Sequence, residues 1–157
     1  MMTTSTTLDT SGLKLQRQLL QRLANAAVAS SGRLAEEISQ TFAAIDSHLQ
    51  YPRRASWGAD CEWLLSGLQA TSRTALDLLV YVGHRTQAES EGIQRRLMVT
   101  IQLARAQAQA AGDTVAPIIA ASRITSLVAR AKEDVTSFYD DLRDARALEH
   151  EPRQRAL

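Results

Sequence analysis

Three histidines, one cysteine and two pairs of adjacent carboxylates are the side chains whose types and spacing could do chemistry. His48, His84 and His150 lie on three different segments, and none has a second histidine three or four residues away. A zinc site on one helix needs that spacing, because only side chains about one turn apart converge on a common point. A helical di-iron centre needs Glu-x-x-His pairs on two helices, and the chain contains none. The neighbours Glu36–Glu37 and Asp140–Asp141 point in different directions on a helix instead of sharing a proton. Cys61 becomes a nucleophile only if a base approaches it; on an apolar stripe it reads as a small buried hydrophobe. Phosphate-cradling loops of the G-x-G-x-x-G and G-x-x-x-x-G-K kinds are absent. We expect no catalytic residue, no metal, no cofactor and no enzymatic activity.

Charge narrows the partners further. Eighteen basic and seventeen acidic residues leave a formal net charge of +1. Such a balance implies no general attraction to nucleic acid or anionic lipid. The two basic doublets, Arg53–Arg54 and Arg95–Arg96, are not interleaved with aromatics, so single-stranded nucleic acid has no stacking platform. His84, beside Gly83 and Arg85, reads as a solvated helix residue. A lone cysteine cannot close an internal disulfide, which fits a reducing cytoplasm. The start MMTTSTTLDTSG lacks the basic and apolar blocks of a secretory signal. No apolar run approaches the ~20 residues that span a bilayer. The expected location is cytoplasmic, with no transmembrane segment.

Any surface must therefore be built by the elements, and composition makes those elements helices. Alanine, leucine, glutamine and arginine dominate, with 3 prolines, 7 glycines and 4% aromatics. These side chains lose little rotamer freedom in a helix, so the fold class is all-α. Residues 1–12 are threonine-rich without period and read as a disordered arm. A helix over 13–50 carries the stripe Leu20, Leu23, Ala27, Ser30, Leu34, Ile38, Phe42, Ile45, Leu49, at a mean spacing of about 3.6. Pro52 in YPRRASWGAD breaks it, and Ser56 or Asp60 can cap the second helix.

The next stripe runs through Cys61, Leu64, Leu68, Ser72, Ala75, Leu79, Val82, Thr86, Ser90, Ile93, Leu97, Ile101, Ala104 and Ala108. It predicts one long helix over 57–111, weakest between Gly83 and Gly92, where the stripe turns polar. A third helix over 115–148 carries Ile124, Val128, Ala131, Val135, Phe138, Leu142 and Ala145 at alternating spacings of four and three. That is a heptad seam, the pattern that wraps helices around one another. Three long antiparallel amphipathic helices in an elongated, coiled-coil-like bundle are expected over 13–149, with a frayed tail at 150–157. The seam also leads us to expect a homo-oligomer.

TALDLLVYVGHRTQ, residues 74–87, is apolar round more of its circumference than one core requires. Leu78, Tyr81, Val99 and Leu103 fall on the side away from the main stripe, and Val80 widens the apolar sector. Two neighbours in a bundle do not reach round to that side, so an external apolar surface or another copy of the chain is expected to cover it.

The segment SWGADCEWLLSGLQATSRTALDLLVYVGHRTQAE resembles the core of the phasins, proteins that coat bacterial polyhydroxyalkanoate granules. The matching residues are Asp60, Glu62, Leu64, Leu65, Leu68 and Gln69, then Ala75, Leu79 and Tyr81, with Gln87 and Glu89 beyond. The resemblance covers roughly residues 13–109 and departs at Gly83, in its scarcity of lysine and in the third helix. It implies a non-enzymatic protein whose apolar helix faces lie on a hydrophobic storage granule. The rival expectation is a self-associating coiled-coil structural or interaction protein, secretion-associated or phage-type, with no granule role. SWGAD is also similar to the Trp-x-Gly turn of small type VII secretion substrates. Here, however, Gly58 directly follows Trp57, and Arg143 stands where their tail signal wants an acid.

Overall fold

The structure, a computed structural model, describes residues 2–52, 55–113 and 116–147. Those residues form four helices and no strand: α1 (Met2–Gln50), α2 (Trp57–Tyr81), α3 (Gln87–Asp113) and α4 (Pro117–Ala147). The all-α class stands. The expected count of three does not, because the helix predicted over 57–111 is two helices.

The break lies at residues 82–86 and is built from two local devices. Gly83 adopts φ 81, the left-handed region that glycine enters without steric cost. Its N–H donates to the Val80 carbonyl at 3.1 Å, and the His84 N–H donates to the Leu79 carbonyl at 2.9 Å. That crossed pair is a Schellman ending, which satisfies carbonyls the last turn leaves without partners. Thr86 then opens α3. Its hydroxyl accepts from the Glu89 N–H at 3.1 Å, while a Glu89 carboxylate oxygen accepts from the Thr86 N–H at 3.4 Å. This reciprocal capping box satisfies donors at the start of α3. Gly92, the other suspected weak point, lies inside α3.

At the other end of the chain α1 begins at Met2, within the stretch expected to be a disordered arm. No proline lies before Pro52, so nothing in residues 2–12 blocks a helix propagating from the stronger sequence beyond them. The expected tail at 150–157 lies outside the described residues.

Contacts join α1 to α2, α2 to α3, α3 to α4 and α4 back to α1, with little across the diagonal. The order around the bundle is the order in the chain. Consecutive helices run antiparallel: Thr71 donates to Glu37, Gln94 to Asp77, and Arg85, in the turn just before α3, reaches Asp141 near the end of α4. This is an up-down-up-down bundle with short links. Its core holds Ile38, Phe42 and Ile45 of α1, Leu65, Leu68, Leu76 and Leu79 of α2, and Ile93, Leu97 and Ile101 of α3. From α4 it takes Ile124, Val128, Ala131, Val135, Phe138 and Leu142, all buried. The heptad seam is thus covered inside the molecule, by α1 and α3.

The α1–α2 corner explains the SWG of the sequence. Trp57 is fully enclosed, and its indole stacks on the His48 ring with centroids 5.1 Å apart. A Cβ on Gly58 would land on the carbonyl oxygen of Ala108, so a side-chain-free residue is what lets α2 and α3 approach there. Ser56 occupies the N-cap position at φ 54 but makes no side-chain cap; its hydroxyl instead donates to the Asp60 carboxylate at 3.1 Å.

Candidate functional surface

Within each helix the inward line fixes what must face outward. On α2 the buried residues include Cys61, Leu65, Leu68, Ala75, Leu76 and Leu79. Tyr81 stands opposite that line and is 59% exposed. Leu78 and Val80, near it in the chain, are half-buried. On α3 the inward line is Ile93, Leu97, Ile101, Ala104 and Ala108; opposite it, Val99 is 56% and Leu103 50% exposed.

The predicted second face therefore reaches solvent at Tyr81, Val99 and Leu103, but not as one stripe. Aligning Tyr81 with Val99 requires a continuous advance of ~100° per residue, and the turn at Gly83 ends that advance. Tyr81 and the Val99–Leu103 pair are separate outward lines on two antiparallel neighbours.

The α2 line has a second member that the apolar run at 74–87 does not reveal. Trp63 lies 18 positions before Tyr81, about five helical turns, so both point the same way. It is 77% exposed. Between them on that side lie Gly67, Ala70 and Thr74, all exposed. Extending the helical wheel upstream to the start of α2 is the signal that finds Trp63. On α4, Ile118 and Ile119 are also exposed, in the first turn after Pro117.

Ion pairs tie the bundle together around these lines. Glu62 on α2 accepts from Arg105 at 3.1 Å and from Gln109 at 2.8 Å, both on α3. The Gln109 and Arg105 bonds hold its carboxyl below the usual range. Arg85 donates to Asp141 at 2.6 Å, to the Ser137 carbonyl at 2.6 Å and to Glu89 at 3.2 Å. Asp141 foremost raises the Arg85 pKa further, so its charge is permanent.

A cleft of about 330 Å³ between α2 and α3 has Leu76 and Leu97 in its floor and Arg73, Glu91 and Arg95 at its rim. Ser72, also in its lining, is buried with its hydroxyl unbonded. Cys61 is buried, and burial pushes its thiol up to about 11. Such a thiol is neutral at physiological pH and a poor nucleophile. Among the described residues no group of three or more His, Cys, Asp or Glu side chains is placed to hold a metal ion. None of the described helices is long and apolar enough to cross a membrane.

No protein-family model, curated protein or solved structure matches this chain.

Proposed function

We propose that this protein is a non-enzymatic, phasin-like coat that adsorbs to a hydrophobic storage granule through the outward apolar lines of α2 and α3. The observation that carries the reading is the pairing of a complete interior core with large apolar residues left facing water on the far side of each helix. Trp63, Tyr81, Val99 and Leu103 have no part in the bundle's interior, and the heptad seam is already used there. Scattered exposed apolar residues are normal on a soluble protein. Two outward lines on adjacent helices, one of them aromatic at both ends, are suited to an apolar interface. Adsorption would remove these side chains from water at no cost to folding, since none supports the core.

The resemblance of residues 13–109 to phasins supplies the partner: a polyhydroxyalkanoate surface. Coating needs area and shape rather than a reacting group, in keeping with the inert thiol.

Expression of a fluorescent fusion in a polymer-accumulating bacterium tests the reading. Fluorescent rings around granules are expected, and Val99→Ser with Leu103→Ser should weaken them. Diffuse fluorescence around visible granules would end it.

A further inference from the structure

We infer that the first part of α1 is an interfacial helix that binds anionic phospholipid bilayers, through a surface separate from the α2–α3 lines. Pairing of Glu37 with Thr71 sets the α1–α2 register and places Tyr81, the end of α2, opposite about residue 27 of α1. Pairing of Lys132 with Asp46 likewise places Ala147, the end of α4, opposite about residue 31 of α1, so α1 continues back to Met2 beyond the described ends of both neighbours. Its first buried side chain among those described, going along the chain, is Ser31. Residues 12–22 are all exposed, and Leu13, Leu15, Leu19 and Leu20 each lie more than half open to solvent.

Two features choose the occupant. At ~100° per residue the four leucines span a sector of roughly 160°, which otherwise holds only Gln16 and the side-chain-free Gly12 from that stretch. A single partner helix covers only the narrow seam of a coiled coil, so leucines at an edge of this wide sector would stay wet. A flat apolar layer covers the whole sector. Charge gives the second feature. The exposed stretch 12–22 carries Lys14, Arg17 and Arg22 and no acidic residue, although the whole chain is nearly neutral. Arg17 borders the sector beside Leu13, and Arg22 borders it beside Leu15, with Lys14 on the polar side. Arginines at both edges of a wide apolar face are placed to reach phosphates while the leucines enter the acyl boundary. The same three cations oppose pairing of two such helices with each other.

Flotation of the full chain with vesicles of phosphatidylcholine alone, or with about a quarter phosphatidylglycerol, is the test. The expected result is binding at least ten-fold stronger to the anionic vesicles, weakening as salt rises. The pair Leu15→Ser with Leu19→Ser, and separately Arg17→Glu with Arg22→Glu, should each lose that binding. Neither pair touches the bundle core, so an unchanged cooperative thermal transition certifies folding. Val99→Ser with Leu103→Ser should leave vesicle binding intact, which separates this surface from granule adsorption. No binding, equal binding to both vesicle types, or wild-type binding by both α1 variants would overturn the inference. So would a concentration-dependent dimer that the leucine pair abolishes without any vesicle binding, since that would seat a second copy on this face.

Discussion

His48 and Trp57 hold each other through three contacts across the α1–α2 corner. The indole N–H of Trp57 donates to the His48 carbonyl at 2.9 Å, the His48 Nε2 lies 2.8 Å from the Trp57 carbonyl, and the two rings stack within 7° of parallel. A carbonyl only accepts, so Nε2 carries the proton in this arrangement. The clasp joins the end of α1 to the first turn of α2 and fixes where α2 starts. Trp57→Phe keeps most of the ring but loses the donor, and should cost about 1–2 kcal/mol in chemical denaturation. Trp57→Ala should cost about 3–5 kcal/mol, the range for emptying an aromatic site in a core. A tryptophan whose removal left the unfolding midpoint unchanged would mean that this corner is not packed as described.

Gly58, the next residue, sits where the α2 backbone packs directly against the α3 backbone at Ala108. Replacing glycine by alanine inside a helix ordinarily gains up to about 1 kcal/mol. Here the new methyl would meet the Ala108 carbonyl oxygen, which is backbone and cannot turn aside. Gly58→Ala should therefore destabilise, by about 1–3 kcal/mol from overpacking. A stabilised variant would refute the close approach.

The carboxyl of Glu89 lies below its ordinary value of 4.5, chiefly because the Thr86 hydroxyl and then the Thr86 N–H donate to it, with Arg85 next. Glu62 is depressed likewise by Gln109 and Arg105. For a group whose folded pKa is lower than its unfolded one, the unfolded chain binds the proton more tightly. Its contribution is fully present above the unfolded value near 4.5 and is lost as pH falls through the folded one. The thermal midpoint should hold between neutrality and mildly acidic pH, then fall more steeply for wild type than for Glu62→Gln with Glu89→Gln. Parallel acid limbs in the two proteins would show that these carboxylates carry none of the dependence.

Arg85 joins the α2–α3 turn to the end of α4 through Asp141 and the Ser137 carbonyl. Both charged side chains of the Arg85–Asp141 pair are about three-quarters buried. Arg85→Met leaves the Asp141 carboxylate and the Ser137 carbonyl to water and should cost about 1–3 kcal/mol. Arg96, paired with Asp134 but largely exposed, is the control. Arg96→Met should change stability by less than about 1 kcal/mol. Equal losses at both sites would contradict the difference in burial.

Much of the core is legible in the sequence because period carries it. Leu68, Ala75, Leu79, Ile93, Leu97, Ile101, Ala104 and Ala108 all stand on one stripe of helical period, and all are buried. Yet the stripe misleads about the helix that bears it. A straight helix with one apolar side and a hairpin whose two arms both face inward give much the same pattern, because each arm must keep its own inward line. The information that separates them is local: a glycine able to adopt φ > 0, then Thr86-x-x-Glu89, a capping box in plain view. Period alone does not register either signal. For the same reason it merges two outward lines into one second face, and it leaves Trp63 out. The heptad pattern of α4 does mark a packing surface, but period cannot say whose helix fills it; here it is the chain's own α1 and α3.

Gly83 and Gly92 put the hairpin to its sharpest test, because a continuous helix and a broken one predict different signs. In a continuous helix both glycines are interior, and alanine at either should stabilise by about 0.5–1 kcal/mol. In the folded hairpin only Gly92 is interior; a methyl there would meet nothing closer than the flexible end of Arg96, so Gly92→Ala should stabilise by that amount. Gly83 has open space for a methyl but φ +81, where a side chain costs about 1–2 kcal/mol against the left-handed backbone. Gly83→Ala should therefore destabilise, and its thermal midpoint should move opposite to that of Gly92→Ala. Gly83→Asn should lose less than the alanine variant, because asparagine tolerates this backbone region better. Two stabilised alanine variants would restore the unbroken rod, with Tyr81 and Val99 on one face about 27 Å apart at ~1.5 Å per residue.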